Sequence, residues 1–183
     1  MKKTVLIFGL ISGAVAAAMM FTTMLFADRI GFDRGLIVGY TTIILSFLLV
    51  FFGIRSYREN IGGGTITFGR AFAVGILITL ISCICYVVAW EILYYNFMPD
   101  FADKYAAHVL EKAKASGATA EAIKAKMDEV KDLKRILDNP LTNAAATFIE
   151  PFPVGLIITV ISALVLRKRK KTSSSEPAVN AVA

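Results

Sequence analysis

Charge is scarce in this chain. Of its 183 residues only 19% are Asp, Glu, Lys or Arg, and 56% are hydrophobic; an average soluble domain is about 25% charged and about 45–50% apolar. That shortage excludes intrinsic disorder over most of the length and argues against a water-soluble globule. Histidine and cysteine are scarcer still: one His and two Cys leave little material for a metal site or a disulfide framework. Cys83 and Cys85 stand two positions apart, about 200° around a helix, so they read as small packing residues. Zinc, hydrolase and kinase signatures are missing, and lone His108 has no companion His or nucleophile motif. The triple glycine Gly62-Gly63-Gly64 lacks the GK[ST] ending of a phosphate loop. No enzymatic activity, metal or cofactor is therefore expected.

What remains is arranged in blocks. Thr4–Ala27 and Gly35–Ile54 carry no charge, Ala71–Trp90 is a third uncharged run, and Ala145–Leu166 is apolar apart from Glu150. About 20 apolar residues cross a hydrocarbon core roughly 30 Å thick, and backbone groups in lipid must bond within their own segment. The expected fold is an all-α membrane protein. Four transmembrane helices, at about 4–27, 35–54, 71–94 and 145–166, carry an extracytoplasmic helical hairpin (100–138) between helices three and four. Residues 1–168 form this domain, and 169–183 form a basic, then disordered, cytoplasmic tail. The first run outlasts the roughly 7–15-residue apolar core of a signal peptide, so a retained helix is expected.

Basic residues set the orientation. Lys2, Lys3, Arg55, Arg58, Arg70 and the run Arg167-Lys168-Arg169-Lys170-Lys171 lie on one side against two acids, while the opposite side balances ten basic residues with ten acidic ones. Both termini are thus expected in the cytoplasm. Topology explains the basic excess, so no nucleic-acid partner is expected. Arg58, Arg70, Arg167 and Lys168 are candidate contacts for lipid head groups.

The long link between runs three and four predicts two helices, Asp100–Ser116 and Ala120–Leu137. Gly117 suits a helix stop and Thr119 an N-cap. Asn139-Pro140 ends the second helix, because the residue before proline resists the helical region. Glu111/Lys114, Glu121/Lys124, Asp128/Lys131 and Asp132/Arg135 have i, i+3 ion-pair spacing. The apolar stripes either face one another or lie on the membrane surface.

Small residues at four-residue spacing occur in every run: Gly9/Gly13/Ala17, Gly35/Gly39, Ala71/Gly75/Thr79/Cys83 and Gly155/Thr159/Ala163. They permit close helix approach in lipid and predict a compact bundle. They leave open whether one stripe joins a second copy or another membrane protein.

Two carboxylates fall inside the apolar runs. Glu91 closes the third run beside Trp90, Tyr94 and Tyr95, which read as an interfacial aromatic belt. Glu150 lies 17 residues before Arg167, about 25 Å at 1.5 Å per residue. A charge at that depth needs a partner, a proton or a wet cavity; Arg29, Arg34 and His108 are candidate partners. Pro151 and Pro153 either begin the fourth helix or break it, as in helices that line transporter sites. Glu91, Glu150 and Thr147 form the candidate intramembrane polar site. A non-enzymatic membrane subunit or scaffold is the first expectation, and an ion- or proton-coupled transporter using Glu91 and Glu150 is the alternative.

An ordered set of motifs spans the chain: Tyr57-Arg58-Glu59-Asn60, Phe68-Gly69-Arg70-Ala71-Phe72, Tyr86 and Trp90, Pro99-Asp100-Phe101 with Tyr105, Asn139-Pro140, and Thr147-Phe148-Ile149-Glu150-Pro151-Phe152-Pro153-Val154-Gly155. The set resembles the bacterial membrane family catalogued as domain of unknown function 4199, over about residues 4–168. The resemblance implies a four-helix inner-membrane protein with an outward helical insert. The family has no assigned activity, so it implies no catalytic residue.

Overall fold

The computed structural model describes residues 1–168, and these are almost entirely helical. In chain order the elements are α1 (Lys2–Leu25), α2 (Ala27–Ile30), α3 (Phe32–Asn60), α4 (Phe68–Phe97), α5 (Phe101–Ala115), α6 (Ala120–Asp138), α7 (Pro140–Ile149) and α8 (Phe152–Leu166). Four spans are long and apolar enough to cross a membrane: α1, α3, α4, and α7 with α8 taken together. Their outer faces carry Leu10, Ile37, Leu45, Ile84 and Val165 exposed, as a lipid solvent allows. The chain is a membrane protein whose surroundings are a lipid bilayer. Residues 169–183, including the basic run after Lys168 and the tail, lie outside the described residues.

The spans outrun the uncharged stretches. α3 begins at Phe32 and continues through Arg55 and Arg58 to Asn60, because the exposed Arg55 can extend toward water with its stem on apolar surface, while Arg58 is satisfied within the protein by the Leu166 carbonyl and Glu59. α4 starts at Phe68, where the Thr67 side chain accepts a hydrogen bond from the Arg70 N–H at 3.4 Å. The largest correction concerns the fourth span. It begins at Pro140, not Ala145, and it is two helices broken at Glu150-Pro151. Pro151 has no N–H for the Thr147 carbonyl and Pro153 none for that of Ile149, so the i→i−4 ladder stops there. It resumes with the Gly155 N–H on the Pro151 carbonyl at 3.0 Å. The prolines do begin a helix, but they begin it in mid-span.

The α5–α6 hairpin follows its local chemistry. Gly117 takes φ +69° past the end of α5, and the Thr119 hydroxyl accepts from the Ala122 N–H at 3.3 Å. Asn139 ends α6 and also caps α7, its Oδ1 accepting from the N–H groups of Leu141 and Thr142. Of the four i, i+3 pairs, Asp132–Arg135 forms at 3.3 Å. Among the described residues the hairpin's other pairs include two that join separate elements, Lys134–Asp103 from α6 to α5 and Lys112–Asp33 from α5 to α3.

Away from the hairpin the bundle is close-packed. α1 lies on α4 and α3, and α8 lies on the same two. A Cβ on Gly155 would stand 2.4 Å from Thr79 Cγ2, and one on Gly75 2.7 Å from Thr159 Cγ2. Polar side chains reach across the same seams. Thr79 and Thr159 hydroxyls are 3.0 Å apart, Ser12 donates to the Ser46 carbonyl at 2.8 Å, and Ser82 donates to that of Gly9 at 3.2 Å. The glycine-rich loop is tied to the end of α8. Ile66 and Lys168 exchange two backbone hydrogen bonds of 2.9 Å, and Arg58 Nη1 donates to the Leu166 carbonyl at 3.3 Å.

Candidate functional site

At the hairpin end the bundle opens. α7 packs on α4 and α6, while α3 makes no comparable contact with it. Gly35 and Gly39, which read as a packing stripe, meet nothing among the described residues: a Cβ on either would find none of their atoms within 4 Å. The space beside them is a cavity of about 290 Å³. α1 supplies Met20 and Thr23 to its wall, α6 supplies Leu133 and Leu137, and α7 supplies Ala146 and Thr147. Six aromatic residues line it: Phe32, Tyr40, Tyr86, Trp90, Phe101 and Tyr105. Glu150, at the break between α7 and α8, is the one charged residue of the lining.

The aromatic wall forms because the hairpin sits on the bundle. Phe32, at the start of α3, lies 6.0 Å from Phe101, 5.7 Å from Tyr105 and 5.1 Å from the His108 ring, centroid to centroid. Trp90 meets Phe101 edge-on at 5.3 Å. Asp33, next to Phe32, holds Lys112 at 2.7 Å and His108 at 3.6 Å. His108 therefore pairs with Asp33 and not with Glu150. Among the described residues no basic group lies in ion-pair range of Glu150, so the pairing with Arg29, Arg34 or His108 is not formed.

Sequence reasoning missed the residue that organises the polar wall. Asn143 is fully buried. Its Oδ1 accepts from Trp90 Nε1 at 2.8 Å and from the Thr147 hydroxyl at 3.3 Å, and its Nδ2 donates to the Leu137 carbonyl at 3.2 Å. One amide thus joins α4, α6 and α7. The only available signal was an asparagine two positions ahead of the fourth apolar run. Trp90 and Tyr94 are correspondingly not a lipid-facing belt: Trp90 is engaged by Asn143, and Tyr94 is buried against Ala102 and Leu137. Tyr95 donates to the Leu137 carbonyl at 2.9 Å.

The candidate residues do not all converge. Glu150 and Thr147 share the cavity; Glu91 is not part of its lining. Glu91 is half-buried, with its Oε1 enclosed and without a hydrogen-bond partner among the described residues. At the opposite end Arg58 faces inward to the Leu166 carbonyl and pairs with Glu59, whereas Arg70, Arg167 and Lys168 are exposed.

Fold and cavity together define a four-span helical membrane protein with a helical insert seated on one end of its bundle. Residues 7–168 match the family described as protein of unknown function (DUF4199), and the chain belongs to it. No curated protein and no solved structure matches it.

Proposed function

We propose that this chain is a non-enzymatic subunit or scaffold of the bacterial cytoplasmic membrane, with both termini in the cytoplasm and the α5–α6 hairpin outside. The observation that carries this reading is the seating of the hairpin. Ring contacts to Phe32 and the pairing of Asp33 with Lys112 and His108 hold it against α3, which leaves the charged face of α6 presented as a fixed platform. The distribution of Lys and Arg supports the orientation. The partner is a second copy or another membrane protein, and nucleic acid has no part in it.

The test is cysteine labelling on intact cells, in a background with Cys83 and Cys85 replaced, followed by capture of the intact assembly from membranes. A cysteine at Lys124 should react with a membrane-impermeant maleimide and one at Gly63 should not. A stoichiometric partner should co-purify and be lost when charges on α6 are reversed. Reversed labelling would overturn the orientation, and a chain that purifies alone as a monomer would overturn the subunit reading.

The place of Glu150 in the cavity favours a second reading, ion- or proton-coupled transport. Only one of the two carboxylates lines the cavity, so this reading rests on Glu150. Ion-dependent proton flux in liposomes, abolished in a folded Glu150→Gln variant, would favour it over the subunit reading.

A further inference from the structure

We infer that the cavity at the hairpin end is a binding site for a small lipophilic organic cation, an ammonium group carried on an apolar body. Three observations carry this. The space is lined by six helices and open on one side, with Leu36, Tyr40 and Glu150 of its lining exposed, and at about 290 Å³ it stands at the lower edge of the roughly 300–1,000 Å³ usual for ligand pockets. Its wall is aromatic on several sides, with Tyr40, Tyr86, Trp90, Phe101 and Tyr105 around one space, and the faces of such rings attract cations. Its single charged residue is an acid. Glu150 has no basic neighbour in the lining, and no Lys, Arg or His pairs with it among the described residues.

A carboxylate within a membrane span needs a partner, a proton or water, and among the described residues no basic side chain supplies a partner. An ammonium ligand would supply it, with its apolar body against Met20, Leu133 and Leu137. The same charge excludes anions: a phosphate or carboxylate ligand would meet Glu150 with no cation to offset it. The glycines fit the assignment too. Gly35 and Gly39 pack against nothing among the described residues, so their missing side chains serve the cavity and not a helix contact.

Trp90 lines the cavity and is the only tryptophan of the chain, so its emission reports on occupancy directly. The probes are benzyltrimethylammonium and its neutral isostere neopentylbenzene, titrated into full-length protein in detergent. The cation should change Trp90 emission saturably, and the isostere should bind at least about tenfold more weakly, a difference of about 1.4 kcal/mol. Glu150→Gln should lower cation affinity by a similar factor and leave the isostere unchanged. Gly39→Leu, placed where the fold leaves open space, should block both probes with the carboxylate intact. This second variant decides the matter if Glu150→Gln fails to fold. Asp128→Asn, on the exposed face of α6, should bind as the unaltered chain does. Equal affinity for cation and isostere, no saturable change in the folded chain, or undiminished binding in Gly39→Leu would each overturn the assignment. The measurement needs neither an orientation nor a partner, so its outcome is independent of the subunit reading.

Discussion

The two ends of this bundle use the same residue pattern for opposite purposes. Toward the glycine-rich loop, Gly75 and Gly155 let α4 and α8 approach until Thr79 and Thr159 touch. Toward the hairpin, Gly35 and Gly39 in α3 face no neighbour and border a cavity. Spacing small residues four apart makes close approach available, and it does not bring a partner. The partner is decided by the other helices. α8 lies along α3 and α4, whereas α7, past the proline break, packs on α4 and α6 and leaves α3 uncovered.

That contrast is best broken at its tight end. Gly155→Leu would drive a side chain into Thr79 and Phe47, and overpacking of this kind costs about 1–3 kcal/mol or more. Thermal unfolding in detergent should show a large loss of stability or no folded protein at all. The polar wall comes next. Asn143→Ala would leave Trp90 Nε1 without its acceptor and the Leu137 carbonyl without one of its donors. A buried group left unsatisfied costs about 1–3 kcal/mol. Lower stability should be accompanied by a shift in Trp90 emission.

The open end should tolerate what the tight end rejects. Gly35→Ala meets no atom and raises helix propensity by about 0.8–1.0 kcal/mol at most, so stability should hold or rise slightly. A loss as large as that from Gly155→Leu would show that the two stripes do the same work after all.

The smallest effect should come from pH at the hairpin. Its hydrogen bond with Lys104 holds the Asp100 carboxyl below its ordinary range, and its hydrogen bond with Asp103 holds the Lys134 ammonium above its own. The first contribution is present above the unfolded carboxyl value of about 3.9 and is lost as pH falls through the lower folded value. The second is present below the unfolded lysine value of about 10.4 and is lost as pH rises through the higher folded value. Spin-label distances between α5 and α6, which Lys134–Asp103 joins, should therefore stay constant up to about pH 9 and broaden only at higher pH, whereas loss of Asp100–Lys104 at acid pH should loosen only the first turn of α5. Because both pairs are exposed, added salt should weaken the dependence.

How much of this was legible in the residues depended on how local the cause was. The four spans, the Gly117 stop and the Thr119 cap each follow from chemistry within a few positions of chain, and all were readable. The start of the fourth span was not. Leu141-Thr142-Asn143 looks too polar for a membrane helix until Asn143 is seen buried between Trp90 and Thr147. The ion pairs misled for a related reason. Spacing three apart describes what one helix offers itself, and the pairs that join separate elements run through Lys112 and Lys134, which stand in none of the four spaced pairs. Glu150 could be singled out from its setting among prolines and phenylalanines. Its cavity could not, because the space exists only where α3 and α7 fail to meet.

The clasp between Ile66 and Lys168 has a mechanical meaning. Two backbone hydrogen bonds, reinforced by Arg58 on Leu166, make the far terminus of α8 and the turn joining α3 to α4 a single knot. Tension applied to the polypeptide after that knot would reach three spans at once, so the molecule owns a ready-made handle through which a load on one strand of chain is shared by the whole bundle.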